Sequence, residues 1–274
     1  MKLTIDAAEV EAREGETVLE AARRAGVEIP ELCAHPAVAP YGACRLCLVE
    51  VKRNGRTRMA ASCCYPVSEG LTVLTKTEKV QRARRGVMEL LLARAPESRE
   101  LRKLAASMGV KASRFPTVTH AERDCILCGL CVNVCRDVIG AAAISFVNRG
   151  VERALAAPFL EPSEACIGCG ACAAVCPVGA IELRWGEDEL EIAPFGNRVR
   201  LALCEDCGAP IGALPFSERV QRQLGARSSH TAPLCRLCKQ RHAAARAKRA
   251  ARAKPTSSTA TSPSAPLSAG IESV

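Results

Sequence analysis

Four groups of four cysteines dominate this sequence, and their spacings suit the binding of metal ions or iron–sulfur clusters. The first central group has the spacing C-x2-C-x2-C-x3-C and consists of Cys125, Cys128, Cys131 and Cys135. The second is followed directly by Pro177 and consists of Cys166, Cys169, Cys172 and Cys176. The N-terminal group is more widely spaced and consists of Cys33, Cys44, Cys47 and Cys63. The C-terminal group forms two C-x2-C pairs, Cys204 with Cys207 and Cys235 with Cys238. Of the 17 cysteines, Cys64 alone is left outside these groups.

The two central runs have the spacing of ligands to cubane [4Fe-4S] clusters. Such a cluster needs four soft thiolates, three from one tight loop and the fourth from elsewhere in the chain. In two-cluster ferredoxins each run gives its fourth cysteine to the other cluster. This rule predicts one cluster on Cys125, Cys128, Cys131 and Cys176, and another on Cys166, Cys169, Cys172 and Cys135. Zinc binding or buried free thiols are the alternative, but two such runs rarely arise otherwise.

The C-terminal pairs are separated by 27 residues and can each form a metal-binding knuckle. Four thiolates in tetrahedral geometry suit zinc or a single rubredoxin-like iron. We predict structural zinc on Cys204, Cys207, Cys235 and Cys238, with iron or an additional cluster as alternatives. The N-terminal group could hold a binuclear cluster, which also needs four thiolates, but zinc is a fair rival on spacing alone.

Strands and short helices are predicted around these groups. Thr17 and Glu20 form a T-x-x-E capping box that opens a helix, and Gly26 ends it. The pair Asn54-Gly55 predicts a type I′ turn between two strands. Residues 78–108 have a helical pattern that Pro96 interrupts. Apolar segments able to form strands follow both central runs, at 142–146 and 180–183.

Residues 27–73 resemble a known protein family, and this resemblance favours a binuclear cluster over zinc at the N-terminal cysteines. The stretches Ile29-Pro30, Leu32-Cys33, 42–50 and 62–67 resemble the N-terminal region of the large iron–sulfur subunit of respiratory complex I and the diaphorase iron–sulfur subunits of NAD-linked hydrogenases and formate dehydrogenases. The resemblance extends over roughly residues 1–185. It implies a [2Fe-2S] cluster on a β-grasp, plant-ferredoxin-like domain, held by Cys33, Cys44, Cys47 and Cys63. It selects Cys63 over Cys64, which we expect to be a packed thiol.

One motif of that family is missing. Its members usually carry one histidine and three cysteines, for another [4Fe-4S] cluster, ahead of the two-cluster module. Residues 79–120 contain no cysteine, and their one histidine is His120. That cluster is therefore expected to be absent. Electrons then pass directly between the remaining centres, or the centres are arranged differently; the sequence leaves both possibilities open.

Composition restricts the function classes. The formal charge of +9 falls to roughly +1 once each of four thiolate-bound sites contributes about −2. Aromatic residues make up 3% of the chain, too few for base-stacking platforms. No nucleotide-binding glycine motif is visible, and no apolar run reaches the roughly 18 residues of a membrane span. The cysteine pattern and the lack of a signal peptide predict a cytoplasmic protein, possibly on a membrane-associated complex.

These observations predict an α+β protein of five parts. They are a [2Fe-2S] ferredoxin-like domain (1–78), a helical linker (79–120), a two-[4Fe-4S] ferredoxin domain (121–190), a zinc-ribbon-like four-cysteine module (191–240) and a basic, then Ser/Pro/Ala-rich disordered tail (241–274).

The resemblance implies a non-catalytic subunit that relays single electrons between a flavin/NAD(H)-binding subunit and a catalytic oxidoreductase subunit. The partner could be a hydrogenase, a formate dehydrogenase or a complex I-like enzyme. A cluster-based redox sensor that binds nucleic acid through its basic tail is the alternative, and a stand-alone ferredoxin is a third.

Overall fold

The N-terminal cysteines are carried by a five-stranded mixed sheet. The computed structural model of the chain describes residues 1–118, 124–224 and 234–252. The strands are β1 (Lys2–Ile5), β2 (Ala8–Glu11), β3 (Leu48–Arg53), β4 (Arg56–Ala61) and β5 (Thr72–Leu74). They lie in the order β2-β1-β5-β3-β4, with β1 and β5 parallel and the other neighbours antiparallel. Asn54 and Gly55 both have positive φ between β3 and β4, as the predicted type I′ turn requires.

The first helix of the chain packs its apolar face on this sheet. Helix α1 (Val18–Arg24) begins at the predicted capping box, where the Thr17 hydroxyl accepts from the Glu20 amide and the Glu20 carboxylate accepts from the Thr17 amide at 2.8 Å. Its apolar face joins the core formed by Leu3, Ile5 and the apolar residues of β3 and β5. A mixed sheet with a helix packed on it agrees with the predicted ferredoxin-like α+β class.

Two helices connect this domain to the central cysteine runs. Helix α2 (Glu78–Arg94) and helix α3 (Arg99–Ser107) are separated at Pro96, as the sequence predicts. The hydroxyl of Ser98 caps α3 and also donates to the carbonyl of Val178 at 3.1 Å, far away in the sequence. The apolar faces of both helices pack into a core that contains cysteines from the N-terminal and the first central group. We call this core, which includes Cys33, Met88, Leu101, Cys128 and Val178, the shared core.

Each central run opens a very short helix. These are α4 (Leu130–Asn133), which continues as a π-helical turn over Val134–Val138, and α5 (Ala171–Ala174). A hairpin of β6 (Ser145–Val147) and β7 (Ala154–Ala156) lies between the runs. The strands that follow the two cysteine runs begin at Ser145 and Glu182, two to three residues after the start of the predicted segments 142–146 and 180–183.

The last sheet is antiparallel and has the order β11-β10-β9-β8. Its strands are β8 (Glu182–Trp185), β9 (Glu189–Ala193), β10 (Asn197–Leu203) and β11 (Pro210–Ala213). They are followed by helices α6 (Leu214–Leu224) and α7 (Arg236–Arg252). The sheet continues across residue 190, where the sequence places a module boundary, so the strand that follows the second run pairs with strands of the C-terminal module.

The basic first part of the predicted tail is helical. Residues 241–252 belong to α7, and their Ala, Arg and Lys residues are strong helix formers. Residues 253–274, the Ser/Pro/Ala-rich part, lie outside the described residues. Among the helices of the described ranges, none combines the length and the apolar character needed to span a membrane.

Candidate metal centres

The four N-terminal cysteines meet beneath the loop that joins α1 to β3. Their side chains are all buried, with exposed fractions of 5% or less. Cys33, Cys44 and Cys47 come from this loop, and Cys63 comes from the 3-10 turn Ser62–Cys64 at the end of β4. The amide of Cys44 donates to the Cys33 sulfur at 3.4 Å, and the thiol of Cys63 interacts with both Cys33 and Cys47.

Contacts within this group polarise its thiols. A hydrogen bond from Cys44 lowers the pKa of Cys33, and one from Cys63 lowers the pKa of Cys47. The same contacts raise the pKa values of Cys44 and Cys63. Thiols that share protons in this way sit close enough to bind one small metal centre once deprotonated.

Cys64 lies outside the group, as the sequence suggests, but it is not packed. Its side chain is exposed, and its sulfur lies 3.6 Å from that of Cys63. It rests against Gly42, where an added Cβ would lie 2.8 Å from the Cys64 sulfur at a φ of +68°. Successive side chains in the turn point in different directions, so burial of Cys63 leaves its neighbour at the surface.

We therefore expect Cys64 to be the first thiol of the N-terminal domain to react with a maleimide in the metal-loaded protein. Exposed thiols react readily, whereas buried ligand thiols do not. Peptide mass spectrometry after brief labelling would locate the adduct, and Cys64→Ser serves as the control that should abolish it. Early labelling of Cys33 or Cys47 with Cys64 unmodified would contradict this arrangement.

The first central site contains one cysteine from the second run. Cys125, Cys128 and Cys131 are buried, and Cys176 is half-buried. Cys176 interacts electrostatically with both Cys128 and Cys131, so the structure places it beside the first three cysteines of the first run. Burial raises the pKa of Cys128 to about 12 and also raises that of Cys131.

The second central site mirrors the first. Cys135 interacts with Cys166 and with Cys172, and it lines the same apolar cavity as all three cysteines that begin the second run. Burial raises the pKa of Cys172 to about 12. The sulfurs of Cys135 and Cys176 each accept a backbone hydrogen bond, from Ala143 at 3.4 Å and from Ala180 at 3.2 Å. Such N–H donors stabilise thiolates.

The loops of the two runs share one backbone conformation. Gly129 and Gly170, between the second and third cysteines, have φ of 81° and 72°. Leu127 and Gly168, between the first and second, have φ of 53° and 67°. Left-handed residues turn the chain sharply, so that the loop amides and sulfurs face one small volume. A Cβ on Gly129 would lie 3.3 Å from the ring of Tyr41, a tight contact that adds to the left-handed conformation in favouring glycine.

The C-terminal cysteines form a fourth site. The sulfurs of Cys204, Cys207, Cys235 and Cys238 all lie within 4.8 Å of one another. Arg241 donates to the Cys238 sulfur at 2.9 Å. His242 contacts the carboxylate of Asp206 at 2.5 Å, and His230 lies outside the described residues. Four thiols at this separation, with a guanidinium beside them, fit a tetrahedral metal ion.

Buried donors beside two of these sites also fit bound anionic clusters. Asn197 is 1% exposed, and its side chain lies close enough to Cys166 to oppose the rise in the pKa of that thiol, although its N–H2 group meets full hydrogen-bond geometry with none of the described residues. Arg84 is 7% exposed, interacts with Cys47, and has one Nη atom for which the described ranges contain no partner. Buried donors without partners are costly, and cluster or thiolate sulfur would satisfy them.

Sequence reasoning missed both donors. Arg84 lies in a helix rich in arginine and Asn197 begins a strand, and neither position has a local signal. The left-handed Leu127 could have been found, because it aligns with Gly168 in the internal repeat. His35, two residues after Cys33, accepts at Nδ1 from the amide of Ala37 at 3.2 Å, which agrees with an ordinary loop role.

Comparisons with known proteins match two parts of the chain to cluster-binding families. Residues 1–78 match a 2Fe-2S iron-sulfur cluster binding domain, and residues 119–183 match a 4Fe-4S dicluster domain. An NADH-quinone oxidoreductase subunit of Rhizobium meliloti is 33% identical over 205 residues, which are 66% of this chain and 24% of that protein. NADP-reducing hydrogenase subunit HndD of Solidesulfovibrio fructosivorans is 34% identical over 77% of this chain and 43% of its own length.

A solved structure is similar over most of the chain. A protein chain from the crystal structure of an NAD+-reducing [NiFe]-hydrogenase in the H2-reduced state aligns with a TM-score of 0.52 and 30% identity. The alignment covers 77% of this chain and 91% of that one. By contrast, the chain spans less than half the length of the two curated relatives.

Proposed function

Because this chain belongs to the family of the large iron–sulfur subunit of complex I and the diaphorase iron–sulfur subunits, we propose that it is an electron-transfer subunit of a multi-subunit oxidoreductase. In this proposal it connects a flavin/NAD(H)-binding subunit with a catalytic subunit and carries out no substrate chemistry itself. The observation that carries the proposal is the convergence of three cysteine quartets within the segments that match cluster-binding families.

The proposed ligand sets follow the contacts between the sulfurs. A [2Fe-2S] cluster is assigned to Cys33, Cys44, Cys47 and Cys63. One [4Fe-4S] cluster is assigned to Cys125, Cys128, Cys131 and Cys176, and the other to Cys166, Cys169, Cys172 and Cys135. When bound, such clusters take up and release single electrons. The protein supplies thiolates, backbone N–H donors and a buried apolar surround that excludes water.

Electrostatic contacts between ligands support a row of adjacent sites. Cys33 of the N-terminal site interacts with Cys128 of the first central site. Cys131 of that site interacts with Cys172 of the second. This adjacency favours direct passage between the remaining centres, the first of the two possibilities that the missing histidine-and-cysteine motif leaves open.

For the C-terminal quartet we propose structural zinc within a zinc-ribbon-like module. The four-sulfur geometry supports a tetrahedral ion, and the family matches end before this module, at residue 183. A metal here would fix the start of α7 against the end of β10, since Cys238 lies in the first turn of α7 and Cys204 directly follows β10.

Metal analysis with EPR during a reductive titration tests the assignment. We expect about ten cluster irons and one zinc per chain, and signals from three clusters. Copurification with a flavoprotein is expected as well. Iron clearly below about eight per chain after anaerobic reconstitution would contradict two cubanes. Salt-dependent nucleic-acid binding that changes with cluster state would instead favour the sensor.

A further inference from the structure

A buried arginine lies close to Cys47, one of the four N-terminal cysteines. Arg84 belongs to α2, and its side chain is 7% exposed. Its Nε donates to the carbonyl of Leu48 at 2.9 Å, and Leu48 directly follows the ligand Cys47. The guanidinium is thus held at the junction between the cysteine loop and β3.

The surroundings of Arg84 leave its charge incompletely matched. Burial lowers its pKa, and the charges of Cys47 and Asp6 oppose that shift. Both carboxylate oxygens of Asp6 already accept hydrogen bonds from Thr75, from its amide and from its hydroxyl, each at 2.7 Å. One Nη atom of Arg84 has no partner within the described part of the chain. Cys47 and Asp6 are thus the two groups whose negative charge acts on this guanidinium, with Cys47 the stronger of the two.

We propose that Arg84 is a positioning residue that raises the reduction potential of the [2Fe-2S] cluster. The proposal rests on the proposed function, which assigns that cluster to Cys33, Cys44, Cys47 and Cys63. A [2Fe-2S] cluster on four thiolates carries about −2 when oxidised, and one added electron makes it about −3. A fixed positive charge in a low-dielectric surround stabilises the more negative form by more, so reduction becomes easier.

The neighbouring Arg85 offers a matched control. Its side chain is exposed, whereas that of Arg84 is buried in the same helical turn. Solvent and salt screen an exposed charge much more strongly than a buried one. Arg85→Gln therefore removes the same formal charge with little expected effect on the cluster.

The experiment is an EPR-monitored redox titration of the full-length, cluster-loaded chain and its variants. Arg84→Gln removes the charge but keeps a donor for Leu48. We expect it to lower the equilibrium constant for [2Fe-2S] reduction about tenfold, a potential lower by about 59 mV for a one-electron couple. Arg84→Lys, which keeps the charge, and Arg85→Gln are expected to stay close to the parent protein, and the cubane potentials are expected to be unchanged.

Each other outcome has a defined meaning. An unchanged potential in Arg84→Gln, or an equal shift in Arg84→Lys, would overturn the proposal. So would loss of the cluster from both variants, because Arg84 would then have a packing role. Loss from Arg84→Gln alone, with a parental potential in Arg84→Lys, would support it. Absence of a [2Fe-2S] signal from the parent protein itself would refute the proposed function, and is thereby distinguishable from failure of this inference.

Discussion

Exchange of both Cys128 and Cys176 for alanine is expected to remove one [4Fe-4S] cluster, about four irons, although the two residues belong to different runs. The reason is that Cys176 lies beside Cys128 and Cys131. Two ligands of the same cluster would then be lost. The other cubane site would keep all four of its ligands, which are Cys166, Cys169, Cys172 and Cys135.

The matched control exchanges two cysteines of one run. Cys128→Ala combined with Cys135→Ala is expected to remove both cubanes, about eight irons, because Cys135 lies with Cys166 and Cys172. Iron per chain and the number of EPR signals after reconstitution distinguish the two double variants. If each run held its own cluster, the results would be reversed, and the crossed ligand sets would have to be abandoned.

The second large effect is expected at Gly168, where the second cysteine run packs on the last sheet. A Cβ there would lie 2.4 Å from Val199 Cγ2 and 2.6 Å from Ala213 Cβ, at a φ of +67°. Gly168→Ala adds left-handed strain, about 1–2 kcal/mol, to overpacking of about 1–3 kcal/mol. We expect the free energy of unfolding to fall by roughly 2–5 kcal/mol in total.

Denaturant titration followed by Trp185 fluorescence measures this loss, because the chain's single tryptophan lies on β8 of the same sheet. Gly208→Ala separates the two causes. Gly208 has a φ of +70° and no atom within 4 Å of an added Cβ, so only strain is expected there. Equal losses in both variants would show that the contact with Val199 and Ala213 contributes little.

The features that sequence predicts well here are those with local causes. The capping box at Thr17 depends on four residues, the turn at Asn54 on two, and the helix break at Pro96 on one. The cysteine quartets are equally local within each run. Even the exchange of Cys135 and Cys176 between runs is expected from a general rule for two-cluster ferredoxins, and the contacts of these residues agree with it.

The features that sequence misses depend on distant partners. Arg84 is one of several arginines in α2, and its burial arises from the approach of β3. Cys64 is exposed because the Ser62–Cys64 turn buries its neighbour. The last sheet joins β8 to strands of the C-terminal module, which no spacing of cysteines reveals. Asn197, the first residue of β10, lies beside Cys166 because of this sheet.

The shared core gives the helical segment between the two cluster domains a structural role beyond that of a linker. Helices α2 and α3 are more than a linker, because their buried residues Met88 and Leu101 belong to the same hydrophobic core as Cys33 and Cys128. We therefore expect side-chain volume in this core to influence the distance between the N-terminal and first central sites. We also expect a loss of order at one site to destabilise the other through the shared core.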